Sequence, residues 1–255
     1  TPTINGDATT EIFAPLNQVT AGIIDAVNAT PSGNAEEVFG FIIEDQGSGD
    51  NLPTYVNQMR FVPAAGNTAL WEDHLAGITL IDENLNSYTI NPINISNQEI
   101  ILGFNPPMSV GDGATLEFLM GVYLKEHNIV DGADLQFKIP ATNHGFTAAN
   151  NGSTFSDPLL LGDITSNVFS ISVDASELRF IQQPSDVFAN QVMSPPVQVI
   201  ATDANGNIDT DYNLSVNLSS TGSLAVSPVT ETAVNGMVSF ANISHTQSGT
   251  GLQLS

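Results

Sequence analysis

The sequence predicts an all-β protein built from two β-sandwich domains in tandem, a larger N-terminal sandwich and a smaller, immunoglobulin-like C-terminal one. Three observations lead to this prediction. Apolar and polar residues alternate along most of the chain, turn-forming residues separate these runs, and helical spacing of apolar residues occurs in one short stretch. The chain has 255 residues, of which 41% are hydrophobic, so it can form two cores.

Six runs in the first part of the chain predict strands of the larger domain. The clearest is ATLEFLMGVYLKE, which places Leu116, Phe118, Met120, Val122 and Leu124 on one face. The others are EVFGFIIEDQ, TYVNQMRFV, NQEIILGF, DLQFKI and NVFSISV. Clusters of Gly, Pro, Asn, Asp and Ser separate the runs, as hairpin loops require, and we expect about nine strands in all. The stretch NTALWEDHLAG predicts a helix of about two turns.

Residues 178–255 contain shorter runs with turn signals between them, which is typical of an immunoglobulin-like sandwich. Two Asn-Gly pairs, Asn205-Gly206 and Asn235-Gly236, predict tight hairpins, because both residue types tolerate positive φ. Alternate side chains are predicted to face the core on either side of the first pair. These are Val197, Val199 and Ala201 before it and Leu214, Val216 and Leu218 after it.

We expect the domains to be 1–175 and 176–255. The alternation that begins in the final SGTGLQLS indicates a fragment of a longer chain.

The charge of the chain excludes several classes of partner. There are 27 acidic residues and 4 basic ones, giving a net charge of −23. Nucleic acids and anionic membranes bind clustered Lys and Arg, and the four basic residues here are scattered.

A membrane-spanning helix needs a run of about 18 apolar residues, and the sequence contains no such run, so we expect no membrane insertion. The chain has no cysteine and therefore no disulfide.

One stretch, ATDANGNIDTDYNLSV, carries side-chain oxygens at alternate positions. These are Asp203, Asn205, Asn207, Asp209 and Asp211. Carboxylate and amide oxygens are the ligands that calcium prefers, so the stretch predicts a calcium site, and calcium is the one cofactor we expect. A hairpin turn with solvated acidic side chains is the other interpretation, and the two are compatible.

The stretch is not an EF-hand loop. Counting from Asp203, the sixth position is Ile208 and the twelfth is Leu214, where an EF-hand requires Gly and a bidentate Glu. A second acidic loop, EDQGSGDNLP, offers Glu44, Asp45 and Asp50 as weaker candidates for a cation.

Catalytic residues are not predicted anywhere in the chain. A cysteine nucleophile is impossible, and the patterns Gly-x-Ser-x-Gly and His-Glu-x-x-His do not occur. The four histidines are far apart in sequence. Exposed aromatic rings would instead provide a platform for sugars, since apolar sugar faces stack on rings. The candidates for such a platform are Trp71, Tyr55, Tyr88, Tyr123 and Tyr212.

Several stretches together resemble modules of very large secreted surface proteins of Bacteroidota. They are FIIEDQGSGDNLPTYVNQMRFVP, WEDHLAGITLID, IVDGADLQFKI, NHGFTA and ELRFIQQPSDVFANQVMSPPVQVIATDANGNIDTDY. Such proteins are typically exported by the type IX secretion system and built from tandem immunoglobulin-like repeats. The resemblance implies an extracellular, non-catalytic segment of a stalk, filament or adhesin. Its partners would be neighbouring domains of the same long chain, further copies of the chain, or a cell-surface glycan. A carbohydrate-binding module is the alternative.

Overall fold

A computed structural model describes residues 10–47 and 51–255, and this part of the chain is almost entirely β-structure. It contains a single short helix, α1 (Trp71–His74). The strands, in chain order, are β1 (Thr10–Phe13), β2 (Gly22–Asp25), β3 (Glu36–Asp45), β4 (Thr54–Pro63), β5 (Leu75–Asp82), β6 (Ile93–Ile95), β7 (Ile100–Val110), β8 (Thr115–Leu124), β9 (Asp134–Leu135), β10 (Phe137–Ile139), β11 (Thr147–Ala148), β12 (Ile164–Thr165), β13 (Phe169–Ser172), β14 (Glu177–Gln182), β15 (Val197–Thr202), β16 (Ser215–Leu218), β17 (Val229–Thr232) and β18 (Met237–Phe240). The predicted all-β class is confirmed.

The described residues form two compact units. The first comprises the chain up to Glu126 together with Ala133–Ile171, and the second comprises His127–Gly132 and Ser172–Ser255. The short segment His127–Gly132 therefore belongs to the second unit, although the first unit continues after it in the sequence. The division into a larger domain, 1–175, and an immunoglobulin-like domain, 176–255, stays a prediction.

The first unit is organised around two larger antiparallel sheets. One has the strand order β1-β3-β8-β5, and the other has the order β12-β10-β4-β7-β6, with β11 paired to β4. A smaller sheet joins β2, β13 and β9. Aromatic rings from the two larger sheets meet in the core, where Phe41 of β3 lies 5.6 Å from Phe61 of β4, centroid to centroid. Phe41 also stacks on Phe118 of β8 at 5.4 Å.

The burial of β8 follows the alternation of its sequence. Phe118, Met120, Val122 and Leu124 are fully buried, as predicted, whereas Leu116 near the start of the strand is half-buried. β8 is paired along both edges, with β3 and β5, so it is an interior strand of its sheet.

The predicted helix is shorter than its sequence pattern indicates. It is a single turn, and the chain becomes extended at Leu75, where β5 begins. The reason is tertiary packing, since Ile78, Leu80 and Asp82 are buried at strand spacing. Trp71 on this turn is fully buried and stacks on Phe137 at 4.9 Å.

The second unit contains a three-stranded sheet, β14-β15-β18, and a two-stranded sheet, β16-β17. Both contribute to one core, through Val197 and Val199 of β15 and through Val216 and Leu218 of β16. The prediction for Leu214 is wrong, because this side chain is 61% exposed. Leu214 lies before β16 begins, so the strand alternation does not extend to it.

Candidate metal centre

The loop that follows β15 is organised by Asp203, which is fully buried. Its Oδ1 accepts hydrogen bonds from the backbone N–H groups of Asn205 (2.9 Å) and Asn207 (2.8 Å). Its Oδ2 accepts one from the side-chain amide of Asn207 at 2.8 Å. Both carboxylate oxygens of Asp203 are therefore used to hold the loop, as in an Asx turn.

The Asn205-Gly206 pair does not form the predicted two-residue hairpin. Of the two residues, Gly206 takes positive φ (87°), and its N–H bonds the carbonyl oxygen of Asp203. The chain closes instead through a wider loop, in which Thr202 and Ile208 form an isolated bridge. The other pair does behave as predicted. Asn235 and Gly236 both have positive φ (51° and 72°) between the bridged residues Val234 and Met237.

The loop also holds the segment His127–Gly132. The Oδ1 of Asn207 accepts the N–H of Ile129 at 3.0 Å, and Ile129 is buried. The carbonyl oxygen of Asn205 lies 2.8 Å from Nδ1 of His127, which must therefore be the donor. Asn205 and Asn207 thus stabilise a contact within the second unit.

Three carboxylates converge beside this loop. Oxygen atoms of Asp131, Asp209 and Asp211 all lie within 4.8 Å of one another. Asp209 is buried, Asp131 is half-buried and Asp211 is exposed. Of the five residues predicted from the sequence, the structure therefore places two, Asp209 and Asp211, in this cluster, and it adds Asp131. The cluster of Asp131, Asp209 and Asp211 is called the acidic triad below.

Backbone donors fix two members of the acidic triad. Asp131 accepts the N–H of Val173 through Oδ1 (2.9 Å) and both the N–H and the hydroxyl of Thr210 through Oδ2 (2.9 and 2.8 Å). Asp209 accepts the N–H of Ala175 through Oδ2 (2.9 Å) and that of Tyr212 through Oδ1 (2.7 Å). These bonds hold both carboxylates in place from several parts of the second unit.

A hydrogen bond with Asp209, together with the crowding of like charges, raises the pKa of Asp211 above its ordinary value. The largest cause is a hydrogen bond with Asp209, followed by the negative charges of Asp209, Asp131 and Asp174. All four basic side chains of the protein have other partners. Arg60, Lys138 and Arg179 form ion pairs with Glu99, Asp163 and Glu177, and Lys125 donates to the carbonyl oxygen of Glu72.

A hard divalent cation would relieve this repulsion, because it accepts carboxylate oxygens from a flexible array. Calcium binding at residues 203–211 stays a prediction, with Asp131 now joining Asp209 and Asp211 as the carboxylates that meet. Asp131 was missed because no sequence pattern connects it with the 203–211 stretch. The only local signal is its place beside Gly132, which indicates a turn.

The weaker acidic candidates serve other purposes where they are described. Asp45 is fully buried, and its carboxylate accepts the hydroxyl of Thr54 (2.8 Å) and the N–H of Gly47 (3.1 Å). Glu44 lies in β3, paired with Glu11 of β1. Asp50 lies outside the described residues.

The aromatic residues considered for sugar binding do not form an exposed platform. Trp71 is fully buried, and Tyr55, Tyr88, Tyr123 and Tyr212 are all half-buried. Tyr88 donates its hydroxyl to Asp82 at 2.8 Å, and Tyr212 packs against the core of the second unit. These rings belong to the fold.

Comparison with known protein families and with curated proteins finds no match. Among solved structures, the chain is 13% identical to the protein AvmM, which is described as catalysing macrocyclization in alchivemycin A biosynthesis. The match covers 72% of this chain and 94% of AvmM, with a TM-score of 0.30. It is 12% identical to the major pilin subunit of Bacillus cereus (92% and 56% covered, TM-score 0.29). It is 10% identical to the self-complemented major subunit of Myf fimbriae from Yersinia enterocolitica (63% and 98% covered, TM-score 0.23). The chain thus spans just over half of the pilin subunit, and likeness at this level carries no argument about function.

Proposed function

We propose that this chain is a non-catalytic structural module of an extracellular bacterial surface protein, a segment of a stalk, filament or adhesin. The observation that carries the proposal is the use of the buried ionisable side chains. Among the described residues, each buried Asp, Glu or His side chain forms a hydrogen bond that holds a loop, a turn or the end of a strand in place. They are Glu11, Asp45, His74, Asp82, His144, Asp203, Asp209 and His245.

His144 illustrates this use at a cavity of about 400 Å³ in the first unit. Its Nε2 donates to the carbonyl oxygen of Ser156 (3.0 Å), and its Nδ1 accepts the N–H of Phe146 (3.1 Å). Both ring nitrogens are therefore occupied by hydrogen bonds. A histidine held in this way has no nitrogen left to transfer a proton to a substrate.

The pair formed by Ser220 and His245 has the distance of a nucleophile and its base, 2.7 Å between Oγ and Nε2. The rest of a hydrolytic site is not present in the described residues. The Nδ1 of His245 has no hydrogen-bond partner there to orient the ring, and Ser220 Oγ also accepts the N–H of Gly222 at 3.0 Å. The backbone of Ser220 also forms a β-bridge with Leu254.

The extracellular setting, with export by the type IX system, is supported by the resemblance to Bacteroidota surface modules. The net charge of −23 is also compatible with a surface that stays soluble and repels anionic polymers. Neighbouring domains of the same chain, further copies of it, or a cell-surface glycan are the partners that this role implies.

Surface exposure on intact cells tests the proposal. Antibodies raised against this chain should label intact cells of the source organism, and brief protease treatment of those cells should remove the labelled protein. An internal cytosolic protein, followed in the same samples, should survive and serve as the control for lysis. Full protection of the chain until the cells are lysed would contradict an extracellular role.

A further inference from the structure

Six Asn-x-Ser/Thr triplets, the acceptor motif of N-linked glycosylation, occur in the chain. Their asparagines are Asn28, Asn94, Asn151, Asn213, Asn217 and Asn242. The motif alone selects none of them. A glycosyl transferase must reach both the asparagine amide and the hydroxyl two residues later, so the folded structure can separate the six.

In three triplets the hydroxyl residue is buried. These residues are Thr30, Ser153 and Ser244, which follow Asn28, Asn151 and Asn242. Ser153 in addition donates its hydroxyl to the carbonyl oxygen of Leu52 at 3.1 Å. The folded protein does not present these triplets in an accessible form.

Two further triplets have exposed asparagines that are constrained in other ways. In the Asn94 triplet, the hydroxyl of Ser96 donates to the carbonyl oxygen of Glu99 and accepts its N–H (3.0 and 3.2 Å). Asn217 lies within β16, where its Oδ1 accepts the hydroxyl of Thr230 at 2.6 Å. The middle residue of that triplet, Leu218, is buried in the core.

The Asn213 triplet differs from all of these, since Asn213, Leu214 and Ser215 are all exposed. The segment has no regular secondary structure until Ser215, where β16 begins. The hydroxyl of Ser215 lies 3.3 Å from that of Thr232, and both residues are exposed, so this long contact leaves the Ser215 hydroxyl accessible. The side chain of Asn213 hydrogen-bonds no described residue. The backbone on each side is nevertheless anchored, because the N–H of Tyr212 bonds Asp209 (2.7 Å) and the carbonyl oxygen of Leu214 accepts the N–H of Ala233 (3.0 Å).

We propose that Asn213 is the acceptor of an N-linked glycan. The donor is an oligosaccharide carried on a lipid diphosphate. The Nδ2 of Asn213 forms a bond to the anomeric carbon of the sugar, the bond from that carbon to the diphosphate oxygen breaks, Nδ2 loses one proton, and the lipid diphosphate leaves. Modification in the cell rests on the proposed export of the chain, whereas the exposure of the acceptor does not.

The test uses the purified, folded chain with a single-subunit oligosaccharyl transferase and its lipid-linked donor. Intact-mass measurement should show one added glycan per chain, and peptide mapping should place it on Asn213. Asn213→Gln and Ser215→Ala should each abolish the addition, while Asn217→Gln and Asn94→Gln should leave it unchanged. A synthetic peptide with the sequence of residues 209–216, which contains the Asn213 triplet but not that of Asn217, confirms that the transferase is active.

An unmodified native chain beside a modified peptide would overturn the proposal, and so would a glycan that persists in Asn213→Gln. Thermal unfolding of the variants, which should match that of the parent chain, shows that the substitutions leave the fold intact. Because the reaction is carried out in vitro, its failure is distinguishable from a failure of export, which the labelling of intact cells measures separately.

Discussion

Asp211 is the residue through which the acidic triad can be tested most directly, because its side chain is exposed and its neighbours raise its pKa. A carboxyl group whose pKa is higher in the folded than in the unfolded state adds stability only while it is protonated. That contribution is complete below the unfolded pKa and is lost as the pH rises through the folded pKa. At neutral pH the ionised side chain therefore opposes folding.

We expect Asp211→Asn to melt at a higher temperature than the parent chain in the presence of a chelator. If calcium binds the triad, the parent chain should gain a few degrees in millimolar calcium, since a ligand of the native state stabilises it, and Asp211→Asn should gain less. Asp112→Asn, which removes an exposed charge from the first unit, is the matched control. Equal calcium responses in the parent and Asp211→Asn would contradict binding at the triad.

Tyr88 gives a prediction at high pH. Burial, followed by the hydrogen bond to Asp82, raises its pKa to about 12 from the ordinary 10.0. The folded state keeps this proton while the unfolded state loses it, so the free energy of unfolding should fall as the pH rises from 10 towards 12. Tyrosinate absorbance of the folded protein should show a step near pH 12, and Tyr88→Phe should remove that step. An absorbance curve that is the same in the parent chain and in Tyr88→Phe, apart from its amplitude, would contradict the assignment.

The residues of the candidate site show what a sequence pattern can convey. Asp209 and Asp211 were selected by alternation, and they do lie together. Asp203 and Asn207 fit the same pattern, but their side chains form hydrogen bonds within the loop. Such bonds form wherever a short polar side chain lies near free N–H groups. Asp131 reaches the triad only because the fold places residues 127–132 within the second unit.

At the scale of single elements, β8 makes the sharpest prediction. Phe118 is fully buried and contacts Phe41 and Tyr88 through its ring. We expect Phe118→Ala to lower the free energy of unfolding by about 3–5 kcal/mol, because it removes buried surface and leaves a cavity. Chemical denaturation measures the change.

Leu160→Ala provides the control for Phe118→Ala, since Leu160 is 70% exposed in a loop of the same unit. Its effect should stay within about 0.5 kcal/mol. A loss below about 1 kcal/mol for Phe118→Ala would show that the interior face of β8 is not a packed core.

Elements with a strong alternating pattern were predictable, and elements decided by their surroundings were not. β8 and β15 have strand periodicity over most of their length, and the burial of both follows it. The sequence around Trp71 has helical spacing, yet only one turn forms, because the residues after it pair with β8 as a strand. Such competition between local spacing and sheet pairing depends on partners that are distant in sequence.

At the scale of the whole molecule, charge is the dominant property. The four basic residues offset little of the repulsion among 27 acidic ones, and this repulsion favours the expanded, unfolded chain.

The four basic residues are also scattered along the sequence, so they form no cluster that could replace the counterions of DNA phosphates. We expect a mobility-shift assay with duplex DNA to show no complex at any salt concentration. A shifted band at low salt would show that a local basic surface forms despite the net charge.

Salt should stabilise the protein for the same reason. The Debye length falls from about 30 Å at 0.01 M to about 8 Å at 0.15 M salt, so added sodium chloride screens the repulsion among exposed carboxylates. The three surface ion pairs weaken under the same conditions, but exposed pairs contribute only about 0–1 kcal/mol each, which is less than the repulsion we expect from a net charge of −23. We therefore expect the melting temperature to rise between about 0.01 M and 0.15 M salt and then to level off.

Potassium chloride should give the same curve as sodium chloride, since screening does not depend on the identity of the monovalent cation. A melting temperature that falls with salt would mean that attraction within the ion pairs outweighs the repulsion, and that the acidic surface is neutralised in the folded state by something other than screening.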